Sequence, residues 1–152
     1  MHTFSCDPNG YLKHWLVAGP HVRLYEGEPG TEDELRQRFA DPTIVDPPTG
    51  VRLGLPSPLG QPWRYVSPGH NAFVEHSTFY HQLSAVDLYA ATNLVIPESG
   101  SVPVRLWACG QADLFVNSRH LVRHAVSRYM QPEHLDLDLP LSAGNNRLFV
   151  RL

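Results

Sequence analysis

Apolar and polar residues alternate along the second half of the chain with the period of two that half-buried β-strands show. The alternation is clearest in HLDLDLPL, where leucines alternate with Asp136 and Asp138, and it continues in NRLFVRL. Upstream, SAVDLYAATNLVIP, VPVRLWACG and ADLFVNSRHLVRH recur at spacings of about ten residues with turn residues between them. Because no helical segment separates these runs, the pattern predicts an all-β fold, an antiparallel β-sandwich, and argues against a parallel α/β sheet.

The same alternation predicts which face of each strand is buried. The leucines of HLDLDLPL and the apolar residues at alternate positions of the neighbouring runs are predicted to form the core. The opposite faces carry a mixed set of side chains, namely Arg105, Trp107, Phe115, Arg147, Phe149 and Arg151. Three interpretations of this mixed face stay open: a second part of the core, a contact with a neighbouring domain, or a sugar-binding surface.

The first half of the chain is divided into shorter pieces by proline and glycine. YLKHWLVAGP is predicted to be a strand that ends at Gly19-Pro20. One short helix is predicted over residues 31–39, because Thr31 can cap its first turn and Glu34 can reach back to the backbone of Thr31.

The segment from Asp41 to Asn71 is rich in proline and has no regular periodicity. We expect it to be irregular chain that covers a sheet, with Trp63 and Tyr65 as apolar anchors. One short strand is predicted within it, over Trp63–Val66.

Two tight turns are predicted from residues that tolerate a left-handed backbone. Asn117 ends the run ADLFVN, and Gly144, Asn145 and Asn146 separate the last two runs. An asparagine side chain at such a place can also satisfy nearby backbone groups, so these asparagines are interpreted as turn-formers before they are considered as ligand contacts.

Composition narrows the classes of protein. The chain has 152 residues, of which 42% are hydrophobic and 18% charged, which fits one globular domain over residues 1–152. No apolar run approaches the roughly 18–20 residues that a membrane helix needs, so we expect a soluble domain and no membrane partner. The start lacks the pattern of a secretory signal, which leaves the compartment unknown. A net charge of −3 with scattered Lys and Arg argues against nucleic acid.

The cysteines and histidines do not form a recognised catalytic or metal-binding motif. Cys6 and Cys109 lie far apart and are expected to be free, mostly buried thiols, although a disulfide between them stays open. His120 and His124 are four residues apart, hence on one face of a regular strand, and with His134 they form the best candidate for a three-nitrogen metal site. No GxSxG elbow, HExxH motif or Gly-rich phosphate loop is present.

Three segments resemble accessory β-sandwich domains of the galactose-binding-like superfamily, which are attached to bacterial glycoside hydrolases and related carbohydrate-active proteins. WLVAGP resembles the opening strand of such domains, ADLFVNSRHLVRH their central strand-turn-strand, and LPLSAGNNRLFVRL their closing hairpin. The central segment departs from the family at Ser118, where the usual residue is glycine, and this affects the expected turn type.

The resemblance implies a jelly-roll fold, no cofactor, and other domains of the same chain or a carbohydrate as partners. In jelly-roll sugar binders the loops at one end often supply ligand contacts, which here implies Trp63, Tyr65, His70 and Asn71. With Arg105 and Trp107 from the mixed face, these are the candidate ligand-binding residues. No catalytic or metal-binding residues are predicted.

The sequence therefore predicts a non-catalytic accessory domain of a larger carbohydrate-active protein, with a structural or interdomain role. A carbohydrate-binding module is the first alternative, and a small metal-dependent hydrolase is the second. The last run ends in VRL without a polar tail, so we expect this domain to be the N-terminal part of a longer protein.

Overall fold

A computed structural model describes residues 4–27, 30–31, 33–34, 37, 43–69, 74, 84–125 and 131–152. Within these residues the chain forms eight β-strands. They are β1 (Trp15–Leu24), β2 (Arg64–Val66), β3 (Ser84–Ile96), β4 (Gly100–Ala108), β5 (Ala112–Val116), β6 (Arg119–His124), β7 (Glu133–Leu141) and β8 (Gly144–Arg151). No helix in this described part is both long and apolar enough to cross a membrane.

The strands form two antiparallel sheets. The larger sheet has six strands in the order β2-β1-β3-β8-β5-β6, and the smaller sheet pairs β4 with β7. Every strand pair in the described chain is antiparallel. The predicted all-β, antiparallel architecture is therefore confirmed.

The two sheets pack face to face on an apolar core, because alternate side chains of each strand point toward the other sheet. The larger sheet contributes Val17, Ala90, Leu114 and Leu148, and the smaller sheet contributes Leu139. Val102, Val104 and Leu137 pack against the same cluster. The faces predicted from the leucine alternation in β7 and β8 are thus the core faces.

The other face of the larger sheet, here called the outer face, is also buried around its centre. Phe115 and Phe149 are 1% and 2% exposed, and they pack with Trp63, which belongs to the irregular segment before β2. Phe115 and Phe149 lie 5.7 Å apart in an edge-on arrangement that is favourable for aromatic rings. For these two rings, the core interpretation of the mixed face holds.

Arginines of the larger sheet hold the irregular segment on the outer face. The backbone carbonyl of Thr43 accepts hydrogen bonds from Arg123 at 3.2 Å and Arg151 at 2.9 Å. Arg147 donates to the carbonyl of Thr49 at 3.3 Å. The segment predicted to cover a sheet therefore does so, and the strand predicted within it is β2.

Strand β1 does not end at Gly19-Pro20. It continues to Leu24, and its pairing with β3 shifts register between Ala18 and His21. The prediction was wrong because a bulge absorbs the irregular Gly-Pro pair, after which the strand resumes its pairing.

The capping interaction predicted for the helix near residues 31–39 is present. The backbone N–H of Thr31 donates to Oε2 of Glu34 at 2.8 Å, and the backbone N–H of Glu34 donates to Oγ1 of Thr31 at 3.3 Å. Asp33, Glu34 and Gln37 have helical backbone. The other residues of the predicted helix lie outside the described part.

The turn predicted at Asn117 has the expected left-handed backbone, whereas the turn predicted over Gly144, Asn145 and Asn146 has it only at Gly144, because Asn145 and Asn146 already pair with β3 as strand residues. Asn117 and Ser118 have φ of 50° and 69°, so both residues between β5 and β6 are left-handed, which matches the twist of a tight hairpin. Gly144 has φ of 88° at the start of β8. Ser118 thus adopts the left-handed backbone, and the hairpin predicted there is present.

Candidate functional site

A cluster of polar and aromatic side chains lies on the face of the smaller sheet that points away from the core. Arg105 is directly opposite Asp136 across the strand pair, and Trp107 is opposite His134. We call these four residues the Trp107 platform. Because residues two apart on a strand share a face, the β4–β7 register alone brings all four together.

The platform is held in place by its own contacts. Arg105 and Asp136 form a two-pronged ion pair, with Nε–Oδ1 at 2.6 Å and Nη2–Oδ2 at 2.8 Å. The rings of Trp107 and His134 have centroids 4.7 Å apart, and the guanidinium carbon of Arg105 lies 6.0 Å from the centroid of Trp107. The indole is therefore flanked by an imidazole and a guanidinium.

The ion pair favours the charged form of both of its members. The hydrogen bond from Arg105, followed by the positive charge of Arg105, holds the pKa of Asp136 below its usual value. The same hydrogen bond raises the pKa of Arg105. The platform therefore offers a carboxylate, a guanidinium, an imidazole and an indole whose surface is 40% exposed.

A second candidate site lies where the chain before β1 passes β3. Phe4, His14 and Tyr65 stack there, with Phe4 and His14 centroids 3.8 Å apart and the hydroxyl of Tyr65 2.6 Å from Nδ1 of His14. They line a cleft of about 640 Å³, here called the N-terminal cleft. Asn93 and Arg147 are among its polar lining residues. The site is an open groove with both aromatic and polar walls.

The structure distributes the six candidate ligand residues over different places. Arg105 and Trp107 come together on the platform, whereas Tyr65 lines the N-terminal cleft. Trp63 is 1% exposed. Its ring is buried with Phe115 and Phe149 and cannot stack on a ligand at the surface. His70 and Asn71 lie outside the described residues.

The sequence did not identify all the partners of these residues as site residues. Asp136 was interpreted as a solvent-facing residue of alternating strand pattern, and His134 as a possible metal ligand. Both face the platform because β7 pairs with β4 across a long stretch of intervening chain. The register between β4 and β7 places Asp136 and His134 on the platform, but that register cannot be deduced from the alternation along one strand. Phe4 and His14 had no sequence signal beyond their residue types.

A buried charged group lies elsewhere, on the outer face of the larger sheet. Asp113 is 1% exposed and accepts from Nε and Nη2 of Arg123, both at 2.8 Å. Nε2 of His120 is 2.9 Å from Oδ1 of the same carboxylate. Burial raises the pKa of Asp113, but the hydrogen bonds from Arg123 and His120 outweigh it and lower the pKa below its ordinary value.

His120 and His124 do not share a face, contrary to the prediction. The pairing of β5 with β6 shifts register between Leu114 and Phe115, so that Leu114 faces Val122 while Phe115 faces His120. The extra residue reverses the alternation, because a bulge changes which side chains point to each face. His120 therefore lies on the outer face and contacts Asp113. His124 lies on the core side, where its Nε2 has no hydrogen-bond partner among the described residues.

The candidate three-nitrogen site is consequently not formed by its predicted members. His120 bonds Asp113, and His134 packs on Trp107. Among the residues the structure describes, no group of three His, Cys, Asp or Glu is arranged to hold a metal ion. Cys6 and Cys109 are free, as predicted, but both are exposed, so the expectation that the thiols are buried was wrong.

No family model matches this sequence, and neither a curated protein nor a solved structure matches the chain.

Proposed function

We propose that this chain is a non-catalytic accessory domain of a carbohydrate-active protein, with a galactose-binding-like jelly-roll fold, and that it binds a sugar at the Trp107 platform. The observation that supports this most is the exposed indole of Trp107 set among an imidazole and a paired guanidinium and carboxylate. The sequence resemblance in the opening strand, the central hairpin and the closing hairpin supports the same class of domain.

The chemistry of the platform suits a pyranose. One face of a sugar ring presents C–H groups, which pack on the apolar surface of an indole, while the hydroxyl groups at the ring edge need hydrogen-bond partners. Arg105 supplies donors and Asp136 supplies acceptors beside the ring, and their mutual ion pair fixes both side chains. Little side-chain freedom would then be lost on binding.

The platform is less suited to a contact with a neighbouring domain. Interdomain contacts bury a continuous area with an apolar centre. The outward positions of β4 and β7 also include Ser101, Pro103 and Asp138, all exposed, so Trp107 and His134 are the aromatic rings at the outward positions of these two strands. A sugar needs only one such ring.

The experiment is a glycan-array screen of this domain, followed by isothermal titration with the glycans that bind. Trp107→Ala removes the stacking surface, and Trp107→Phe keeps a smaller ring. Tyr65→Ala is the matched control, because it removes an exposed aromatic ring at the N-terminal cleft. Unfolding curves of all three variants show whether the fold is intact.

We expect saturable binding that Trp107→Ala abolishes, that Trp107→Phe weakens and that Tyr65→Ala leaves unchanged. Binding lost in Tyr65→Ala but kept in Trp107→Ala would place the sugar in the N-terminal cleft and overturn the platform as the site. No binding across the array would overturn sugar binding and leave the structural role of an accessory domain.

A further inference from the structure

One edge of β3 extends past its neighbour. β3 pairs with β1 through Ser84–Ala91 and with β8 through Tyr89–Ile96. Residues 92–96 therefore have a strand partner on the β8 side only, within the described part of the chain. On the other side, the side-chain hydroxyl of Thr92 donates to the carbonyl of His14 at 2.7 Å.

The register identifies which backbone groups face this open edge. Leu88 and Leu152 exchange two backbone hydrogen bonds, at 2.9 and 2.8 Å, so the N–H and C=O of Leu88 point toward β8. The β3–β8 pairing continues without a shift to Ile96, and backbone groups in an antiparallel pair alternate between the two sides of a strand. Asn93 and Val95 therefore each present an N–H and a C=O to the open edge.

A cleft lies on each face of the sheet at this edge. The N-terminal cleft adjoins the outer face, where Asn93 and Val95 point their side chains and Val95 is 64% exposed. A second cleft of about 250 Å³, here called the inter-sheet cleft, lies on the core side. Its walls are mainly apolar and include Leu94, Ile96 and Val104. An added strand would point successive side chains into the two clefts alternately.

The charge of the N-terminal cleft limits what such a strand can carry. The described residues that line it include Lys13 and Arg147 and no carboxylate. Lys13 is paired with Asp7 at 2.9 Å, whereas the guanidinium of Arg147 donates to the uncharged carbonyl of Thr49. An acidic side chain opposite Asn93 or Val95 would therefore meet an unneutralised guanidinium.

We propose that the open edge of β3 at Asn93–Val95 binds an extended peptide of a partner protein by strand addition. The peptide alternates apolar residues, which enter the inter-sheet cleft, with acidic or polar residues, which face Arg147. Its backbone pairs with the N–H and C=O groups of Asn93 and Val95, which supplies the affinity, while the two clefts supply the specificity.

The probe is a capped, fluorescein-labelled peptide in which valine and glutamate alternate over about seven residues, enough to span the edge at roughly 3.4 Å per residue. Binding is followed by fluorescence polarisation, and amide hydrogen exchange is measured by NMR in parallel. In the free protein, the amides of Asn93 and Val95 exchange quickly while those of Leu94 and Ile96 are protected. The peptide protects Asn93 and Val95.

Two changes test the backbone contact directly. Val95→Pro removes the N–H that faces the edge without touching the hydrogen bonds to β8, and it weakens binding by more than about tenfold. Val95→Ala, the matched control, keeps that N–H and changes the affinity by less than about threefold. A peptide N-methylated at its glutamates loses the same contacts from the other side, so the proposal stays testable if Val95→Pro unfolds the protein.

A second comparison tests the contact between the acidic side chains of the peptide and Arg147. Replacing glutamate by lysine in the peptide weakens binding to the native protein, and Arg147→Gln reduces the difference between the two peptides. The proposal is overturned if no peptide binds, if N-methylation has no effect, or if Asn93 and Val95 are already protected in the free protein. Protection that rises with protein concentration alone would also overturn it, since a second copy of the chain would then occupy the edge.

Discussion

The side-chain amide of Asn117 donates to Oδ1 of Asn146 at 2.9 Å, which joins the β5–β6 turn to the beginning of β8. The same Oδ1 accepts from the backbone N–H of Ser142, and Nδ2 of Asn146 donates to the carbonyl of Ser142 at 2.7 Å. Oδ1 of Asn117 accepts in turn from the backbone N–H of Arg147. One pair of side chains thus satisfies backbone groups of two turns.

Asn146→Ala is expected to lower the free energy of unfolding by about 1–3 kcal/mol, because the fully buried side chain of Asn146 is lost together with its hydrogen bonds to Asn117, Ser142 and Gly144. The neighbouring Asn145→Ala is the control, since Asn145 is exposed, and it should cost less than about 0.5 kcal/mol. Urea unfolding measures both values. Equal effects of the two substitutions would contradict a special role for Asn146.

The left-handed turn at Asn117 could be predicted from the sequence because turn chemistry is local, whereas Asn146, predicted to be part of a turn, is a residue of β8. The leucine core of β7 was predictable for a similar reason, since Asp136 and Asp138 make the other face of that strand clearly polar. The burial of Phe115 was not predictable, because the chain that covers it, around Trp63, is distant in sequence. Alternation within β5 shows two distinct faces but does not show what lies over each.

The bulge in β6 illustrates a second limit of local patterns. Counting by two from His120 to His124 assumes a regular strand, and one inserted residue reverses the result. Only two of the four residues of the Trp107 platform were predicted, because a local pattern does not give the pairing between strands. Arg105 and Trp107 follow from alternation in β4, but their partners in β7 depend on register between strands that are far apart in the chain.

Trp63→Ala is expected to reduce the free energy of unfolding by about 3–5 kcal/mol, because it leaves a cavity between the outer face of the larger sheet and the irregular segment that covers it. Tyr65→Ala should cost less than about 1 kcal/mol, since the ring of Tyr65 is 49% exposed. Thermal or urea unfolding of the two variants provides the comparison. A small effect of Trp63→Ala would show that the ring of Trp63 is not needed to hold the irregular segment on the larger sheet.

Cys6 and Cys109 are both expected to react with iodoacetamide in the native protein, because exposed free thiols are accessible to small alkylating reagents. Intact-mass spectrometry should show two adducts under native conditions, the same number as after denaturation. Cys6→Ser and Cys109→Ser variants assign each adduct. A native protein that takes up no reagent would contradict the exposure of the thiols.

Stability is expected to fall at acidic pH in a way that depends on Asp113. The pKa of Asp113 in the folded protein lies below its ordinary value of 3.8, so the unfolded chain takes up the proton first as pH falls. The charged carboxylate therefore stabilises the fold above that value, and this contribution is lost as pH falls through the pKa in the folded state.

Asp113→Asn isolates this contribution. Near neutral pH the variant should be less stable by about 3 kcal/mol, because the guanidinium of Arg123 loses a buried charged partner. As pH falls below about 4, protonated Asp113 comes to resemble asparagine, so the difference between the two proteins should shrink. Urea unfolding from neutral pH to pH about 3 measures that difference, and the other carboxylates with a lowered pKa, Asp7 and Asp136, are common to both proteins. A difference that stays constant with pH would show that the charge of Asp113 does not stabilise the fold.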